Sequence, residues 1–146
     1  MAFKSHEIDY MNSADLGRLA TVQPDGTLQN SPVGFSYNEQ LGTIDIVGYH
    51  MSRSQKFKNI ASNTTVAFVV DDIASRTPWR VRCLEIRGTA EQAEVDAPGT
   101  EDNGDGLDSA IIRITPRRII SFGIDDTETD PHLLTADSRD VPTTAS

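Results

Sequence analysis

The sequence is poor in cysteine, histidine and basic residues, and each shortage excludes a class of protein. Cys83 is the single cysteine, so no disulfide can form within the chain and no cysteine cluster can hold zinc or iron–sulfur. The three histidines, His6, His50 and His132, are far apart in sequence and form no metal-binding pair. We therefore expect neither a disulfide framework nor a bound metal.

Basic charge is scarce as well. The 146 residues carry 13 Lys and Arg against 22 Asp and Glu, which gives a formal net charge of -9 at pH 7. Binding to nucleic acid requires a basic face, and attachment to anionic lipids requires basic clusters. The composition therefore argues against both kinds of partner.

Long apolar runs are also missing. No stretch is long enough to span a bilayer, and the start of the sequence, residues 1–7, lacks the apolar core of a signal peptide. Hydrophobic residues make up 37% and charged residues 24% of the chain, which is typical of a globular domain with a real core. We therefore expect a cytoplasmic protein.

Short alternating segments separated by turn residues dominate the sequence. Residues 24–27, Pro-Asp-Gly-Thr, predict a tight turn between a strand over 18–23 and a second strand. In that second strand Val33, Phe35 and Tyr37 alternate toward one face, and Pro32 lies opposite it. We predict further strands over residues 43–49, 66–70 (closed by Asp71 and Asp72), 81–94 (with a bulge at Gly88 after a loop over 75–78) and 111–124.

Two short helices, over residues 5–16 and 52–62, complete the predicted elements. About six strands with tight turns and two short helices indicate a mainly β protein, a closed or split β-barrel. Residues 1–125 form its one domain, and the acidic, turn-rich stretch over 97–108 is predicted to be a solvated loop. Residues 126–146 are polar without a periodic apolar face, which predicts a disordered C-terminal tail.

The stretch from Gly48 to Ile60 is the strongest candidate for a binding site. Ser52 and Gln55 have the spacing of a capping box, which predicts a helix N-terminus there. Such a terminus attracts anions, and three cations, Arg53, Lys56 and Lys58, fall within six residues of it. The pattern favours a phosphate or carboxylate ligand, although the same cations are typical of the solvated face of a short amphipathic helix.

No constellation of catalytic side chains is present in the sequence. Cys83 lies in a predicted strand and is expected to pack rather than react. A protein with an anion site and no catalytic side chains is expected to take its chemistry from a cofactor. Tyr49 and His50 are the weak candidates for a proton donor.

Several segments occur in a characteristic order along the chain. They are LATVQPDG (19–26), SPVGF (31–35), SRSQKFKNI (52–60) with VAFVVDD (66–72), PWRVR (78–82) with LEIRGTAE (84–91), and IRITPRRIISFGI (112–124). Together they resemble the pyridoxamine-phosphate-oxidase-like split β-barrel superfamily. The last two resemble an actinobacterial branch of that family which depends on cofactor F420 and includes the reductase of the last step of oxytetracycline biosynthesis.

The resemblance implies a homodimer with two deazaflavin sites at the subunit interface. Lys56 matches the family's phosphate-binding lysine, and Ser54 matches the serine two residues before it. Gln55 and Ser31 stand where the flavin-mononucleotide oxidases carry arginines, which favours F420 over flavin mononucleotide. The full set of implied cofactor contacts is Gln29, Asn30, Ser31, Pro32, Val33, Gly48, Tyr49, His50, Ser52, Arg53, Ser54, Gln55, Lys56 and Trp79.

The leading hypothesis is therefore an F420-dependent reductase that transfers a hydride to an activated C=C of a small molecule such as an enone, quinone or polyketide. A second hypothesis keeps the fold but binds flavin mononucleotide and acts as an oxidase or flavin reductase. A third is a non-catalytic carrier of F420, flavin or haem. For Trp79, packing in the core or at a dimer interface is favoured over stacking on the substrate.

Overall fold

A computed structural model describes residues 2–95 and 108–143, so nearly all of the predicted loop over 97–108 lies outside the described residues. Strands dominate the described part, and the helices are short. The first helix ends three residues before its predicted end at residue 16. The elements are α1 (Ser5–Ser13), β1 (Gly17–Val22), β2 (Leu28–Asn38), β3 (Thr43–Val47), a 3₁₀ turn (Met51–Arg53), α2 (Gln55–Ser62), β4 (Thr65–Arg76), β5 (Trp79–Glu94), β6 (Ala110–Phe122), a second 3₁₀ turn (Pro131–Leu133) and β7 (Asp137–Asp140).

The strands form one antiparallel sheet that closes into a ring. Their order is β3-β2-β1-β4-β5-β6-β7, and β3 also pairs with β6. The closing register places Ile44 opposite Ile114 and Ile46 opposite Ile112. Strand β7 pairs with residues 118–121 of β6, on the same edge as β3 but beyond the point where β3 closes the ring. The predicted mainly β, barrel-like fold is confirmed.

The interior of the ring is filled by the inward residues of the alternating strands. On β5, Leu84 and Ile86 are fully buried, whereas Arg87 between β4 and β6 faces outward and is exposed, as the alternation predicted. Phe35 and Phe68 meet edge to face with ring centroids 5.1 Å apart. Other core side chains with at most 1% of their surface exposed include Leu19, Ile44, Ile46, Met51, Ile60, Val70, Ile112, Ile114 and Ile119.

The predicted bulge at Gly88 is confirmed. The pairing register of β5 with β6 shifts between Arg87 and Gly88, opposite Pro116. A Cβ at Gly88 would lie 2.1 Å from the backbone oxygen of Thr115, so no larger residue fits at this position. The missing side chain lets the two strands bend closely past each other.

The β4–β5 hairpin is longer than the sequence indicated. Strand β4 does not end at Asp71 and Asp72, and residues 75 and 76 are not loop: the pairing continues to Arg76 opposite Trp79. One reason is that Arg82, directly across from Asp72, donates to its carboxylate and compensates for a residue that strands disfavour. Strand β1 pairs with β4 only as far as Val69, so residues 71–82 form a two-stranded arm that extends beyond it. We call this segment the hairpin arm.

The prediction of a disordered tail is wrong for residues 137–140. They pair with residues 118–121 of β6 as strand β7. From this strand Arg139 forms an ion pair with Glu7 of α1, whose carboxylate is completely buried. A buried carboxylate requires a partner, and only the tertiary structure shows that the C-terminal tail supplies one, Arg139.

Candidate functional site

The segment from Gly48 to Lys56 connects β3 to α2 and contains most of the predicted anion-site residues. It is anchored by Met51, which is completely buried. Helix α2 begins at Gln55, and its N-cap is Ser54, whose hydroxyl accepts the Phe57 N–H at 3.3 Å and donates to the Met51 carbonyl at 2.7 Å. The predicted cap at Ser52 is therefore wrong, because the residues before Ser54 form a separate 3₁₀ turn.

Ser52 has a different partner. Its N–H and its hydroxyl both donate to Oδ2 of Asp108, at 3.1 and 2.9 Å. The Asp108 N–H in turn donates to the Gly48 carbonyl at 3.3 Å, so both ends of the turn are joined to the start of β6. The hydrogen bonds from Ser52 hold the pKa of Asp108 below its usual value, which keeps the carboxylate ionised.

The positive groups of the predicted site lie around the first turn of α2. The first N–H groups of a helix have no partner within it, and here Ser54 accepts one of them. Lys56 is half-buried at the second position of the helix, and Arg53 and Lys58 are exposed on either side of it in sequence. Free N–H groups and three cations suit a phosphate or carboxylate.

His50 and Arg53 contact each other within the turn. A guanidinium nitrogen of Arg53 lies 2.7 Å from Nδ1 of His50, and the Arg53 N–H donates to the His50 carbonyl at 3.0 Å. His50 has a φ of 52°, in the left-handed region, and among the described residues it is the only non-glycine residue with positive φ. Such a conformation is uncommon for residues other than glycine and concentrates at functional sites.

Asn59 fastens the helix to the sheet, and the sequence analysis missed it. Its amide nitrogen donates to Thr21 at 3.0 Å and to Gln29 at 3.1 Å, and its oxygen accepts from Gln55 at 2.8 Å. Gln29 and Gln55, both predicted site residues, are thereby brought together through a completely buried amide. Its partners Thr21 and Gln29 lie on the sheet, so the sequence offered only an asparagine beside Ile60 as a signal.

The predicted positions on β2 divide between the two faces of the strand. Gln29, Ser31 and Val33 face α2 and the core, and Val33 is only 4% exposed. Asn30 and Pro32 lie on the opposite, outer face and are exposed. Ser31 has a buried hydroxyl with no hydrogen-bond partner among the described residues. A buried, unpaired hydroxyl on this face is available to a polar ligand group.

Trp79, the remaining predicted cofactor contact, does not line a common cleft with the Gly48–Lys56 segment. It begins β5 on the hairpin arm and is 55% exposed. There it lines a cleft of about 560 Å³ with Arg18, Asp71, Asp72, Ile73, Arg76 and Val81, and the cleft contains no residue of the Gly48–Lys56 segment. Trp79 and the Gly48–Lys56 segment therefore do not share this cleft within one chain.

Other kinds of site find no support in the described part of the chain. Residues 2–95 and 108–143 contain no group of three or more His, Cys, Asp and Glu side chains placed to hold a metal. Burial raises the pKa of Cys83 to about 11, so its thiol is protonated at neutral pH and unsuited to nucleophilic chemistry. No helix in these ranges has both the length and the apolar character needed to cross a bilayer.

Comparison with known proteins shows the family to which the chain belongs. The sequence profile described as pyridoxamine 5'-phosphate oxidase matches residues 6–122. A protein of Streptomyces rimosus subsp. rimosus named 5a,11a-dehydrotetracycline/5a,11a-dehydrooxytetracycline reductase is 44% identical over 125 residues, which are 86% of each chain. The resemblance noted in the sequence is thus confirmed.

Solved structures share the fold at lower identity. A conserved hypothetical protein of Mycobacterium tuberculosis superposes with a TM-score of 0.64 at 20% identity, over 82% of this chain and 83% of that one. The FAD binding protein of Mycobacterium smegmatis superposes with a TM-score of 0.56 at 23% identity, over 80% and 92% of the two chains. With a closed antiparallel ring, a matching sequence profile and a relative at 44% identity, the chain belongs to the pyridoxamine 5'-phosphate oxidase family.

Proposed function

We propose that this protein is an F420-dependent oxidoreductase that reduces an activated C=C of a tetracycline-type polyketide intermediate. The observation that carries the proposal is its 44% identity, over 86% of both chains, with a protein named as a reductase of dehydrotetracyclines. In such a substrate the C=C is conjugated to a carbonyl group, which makes its far carbon an acceptor of hydride. A hydride donor and a surface that orients the substrate suffice for this reaction.

The residues around α2 fit the cofactor's anionic tail. F420 carries a phosphate and glutamates on its tail and, when bound, supplies a hydride from its deazaflavin ring. Arg53, Lys56 and Lys58 place positive charge where the N–H groups of the helix also converge. Ser31 adds a buried hydroxyl that has no partner among the described residues. These groups would hold the anion, and the family resemblance implies that the 3₁₀ turn beside them would lie along the edge of the deazaflavin ring.

The choice of F420 over flavin mononucleotide rests on two positions. Gln55 and Ser31 stand where the flavin-mononucleotide oxidases of the family carry arginines. Gln55 instead donates a hydrogen bond to the side-chain oxygen of Asn59, one turn later in α2, so its side chain stabilises the helix. A site with fewer fixed cations suits a long tail with several distributed charges better than one compact phosphate.

We further propose a homodimer whose interface completes each site. Leu28 is 72% exposed, and with Ala20, Val22 and Ala67 it lines a largely apolar cleft of about 350 Å³ on the outer face of the ring. The hairpin arm exposes Ile73 and Trp79 next to this face. A partner subunit covering both removes apolar surface from water and brings its Trp79 toward the other chain's cofactor.

The alternative function is a flavin-mononucleotide oxidase or flavin reductase of the same fold. The observation in its favour is the matching profile itself, which is that of pyridoxamine 5'-phosphate oxidase. A phosphate bound by Lys56 and the first turn of α2 serves flavin mononucleotide as well as F420. The two functions differ in the cofactor that binds and in reactivity with oxygen.

The deciding experiment compares the two cofactors and then the reaction. The purified protein is titrated with F420 and with flavin mononucleotide by calorimetry, and then mixed without oxygen with reduced F420 and 5a,11a-dehydrotetracycline. We expect tighter binding of F420 and stoichiometric reoxidation of reduced F420 with formation of tetracycline. Preferential binding of flavin mononucleotide with oxygen consumption would establish the alternative, and binding of either cofactor without turnover would indicate a carrier.

A further inference from the structure

We propose that His50 donates a hydrogen bond from Nε2–H to the carbonyl oxygen of the substrate, and that Arg53 is the positioning residue that holds the imidazole in the required form. This inference rests on the proposed function and deepens it, because it assigns the group that stabilises the oxygen during hydride transfer. It starts from the contact between Nδ1 of His50 and the Arg53 guanidinium at 2.7 Å.

That contact decides which ring nitrogen carries the proton. A guanidinium has five N–H donors and no acceptor, so Nδ1 of His50 must accept. An imidazole that accepts at Nδ1 is neutral, and its one proton is on Nε2. Among the described residues, no group accepts a hydrogen bond from Nε2, and the His50 side chain is exposed. The ring therefore presents a free donor to a ligand at the turn.

The backbone that carries His50 is held in place from several directions. Met51, the next residue, is completely buried, and the His50 carbonyl accepts the Arg53 N–H at 3.0 Å. The N–H and the hydroxyl of Ser52 both donate to the carboxylate of Asp108. These three neighbouring contacts hold His50 in an uncommon left-handed conformation. Such conformations of non-glycine residues concentrate at functional sites.

The reaction requires a donor of this kind. Hydride from the reduced cofactor forms a new C–H bond at the carbon far from the carbonyl, and the C=C electron pair moves so that negative charge gathers on the carbonyl oxygen. A hydrogen bond to that oxygen is stronger in the transition state than in the ground state, so it accelerates the step. A proton from water then completes the reduction, and the imidazole keeps its own proton.

Tyr49 is the competing donor. Its hydroxyl lies on a side chain that is 64% exposed and has no hydrogen-bond partner in the described part of the chain. Its position is therefore not fixed before the substrate binds, whereas that of His50 is fixed by Arg53. Preorganised donors contribute more to catalysis than mobile ones, which favours His50.

The tautomer is tested directly by ¹⁵N NMR of the histidine ring in the full-length protein. We expect His50 of the wild type to show an unprotonated Nδ1 and a protonated Nε2. In Arg53→Ala the two tautomers should mix, and Arg53→Lys, which retains a donor, should restore the single form. Lys58→Ala, a matched loss of an exposed cation on the adjoining helix α2, should leave the tautomer of His50 unchanged. A mixed-tautomer wild type, or an unchanged Arg53→Ala, would overturn the positioning role.

The donor role is tested with two substitutions of similar size. In His50→Gln the side-chain amide nitrogen reaches roughly the place of Nε2, whereas in His50→Asn it reaches only that of Nδ1. Asn also tolerates the left-handed backbone, so the turn is preserved. We expect His50→Asn to lower kcat about 100-fold with little change in the KM for reduced F420, and His50→Gln to retain most of the rate. Equal rates in the two variants would contradict the proposal.

Binding of tetracycline, the product, separates this inference from the proposed function. Tetracycline should shift the His50 Nε2 resonance in the wild type, and it should bind His50→Asn more weakly. A wild type that shows this shift but reduces no dehydrotetracycline would refute the proposed reaction and keep the donor. An active wild type without the shift would refute the donor alone, and the loss of both would refute both.

Discussion

Arg139, on the last strand, forms an ion pair with the completely buried carboxylate of Glu7 in the first helix. The two residues are 132 positions apart, and the second guanidinium nitrogen lies 3.1 Å from the other carboxylate oxygen. Ser121 of β6 donates to the same carboxylate at 2.7 Å. Three elements, α1, β6 and β7, are therefore joined through one buried carboxylate.

Replacing Arg139 by alanine should destabilise the protein strongly. The substitution leaves the buried Glu7 carboxylate without its cation, which typically costs about 3–5 kcal/mol. Urea unfolding of the wild type and of Arg139→Ala measures the difference. The matched control is Arg118→Ala, whose partner Asp140 is 80% exposed, and which should cost less than about 1 kcal/mol. Similar losses in the two variants would show that burial of the pair is unimportant.

Removal of residues after Asp126 should have the same effect for the same reason. Without β7 the chain loses Arg139 together with the strand that covers the edge of β6. We expect the shortened chain to unfold at markedly lower urea than the wild type. Normal stability of the truncated chain would show that Glu7 finds another partner or becomes protonated.

Acidification should weaken the fold through Glu7. Burial alone would raise the pKa of Glu7, but hydrogen bonds from Arg139, the Lys4 N–H and Ser121 outweigh burial and lower the pKa below its ordinary value of 4.5. The stabilisation is therefore complete above the unfolded-state pKa and is lost as the pH falls through the lower folded-state pKa. Urea midpoints measured below about pH 5 should decline, and less steeply in Glu7→Gln, where this group does not titrate. Parallel declines would assign the effect to other carboxylates.

Loss of the Lys56 charge should weaken cofactor binding. A charge-assisted hydrogen bond to an anion contributes roughly 1.5–3 kcal/mol, so Lys56→Ala should bind F420 about ten- to a hundred-fold more weakly. Because the interaction is ionic, the affinity of the wild type should fall as salt rises, and that of Lys56→Ala should fall less. Calorimetry in low and high salt measures both effects. Lys58→Ala is the control: its loss should be smaller, and an equal loss would make the site a diffuse positive surface.

A charge on the outer face of the ring should dissociate the proposed dimer. Ala67 lines the apolar cleft on this face and lies directly across from Arg87, so glutamate there gains a partner within the chain and should leave the fold intact. Burial of that charge in an interface of about 2,000 Å² is unfavourable. Sedimentation should show a dimeric wild type and a monomeric Ala67→Glu. A wild type that stays monomeric at micromolar concentration with cofactor present would refute the dimer.

Local patterns in the sequence were sufficient for the mainly β fold and for the end of the second helix at Ser62, but not for its start. The alternation of Leu84, Ile86 and their outward neighbours is a property of neighbouring residues, so it can be read without knowing the fold. The same holds for the bulge at Gly88, where a glycine interrupts a strand pattern. The family resemblance added the cofactor hypothesis, which rests on the order of several such local motifs.

Contacts between distant residues could be found only in the tertiary structure. Asp108 takes the Ser52 N–H from across 56 residues, which moves the helix cap to Ser54 and leaves Ser52 engaged. Polar residues such as Asn59, Glu7 and Arg139 look solvated in a sequence because their partners lie on other elements. Burial makes an unpaired polar group costly, so these long-range pairs decide where the tail and the helix lie, and no local pattern encodes them.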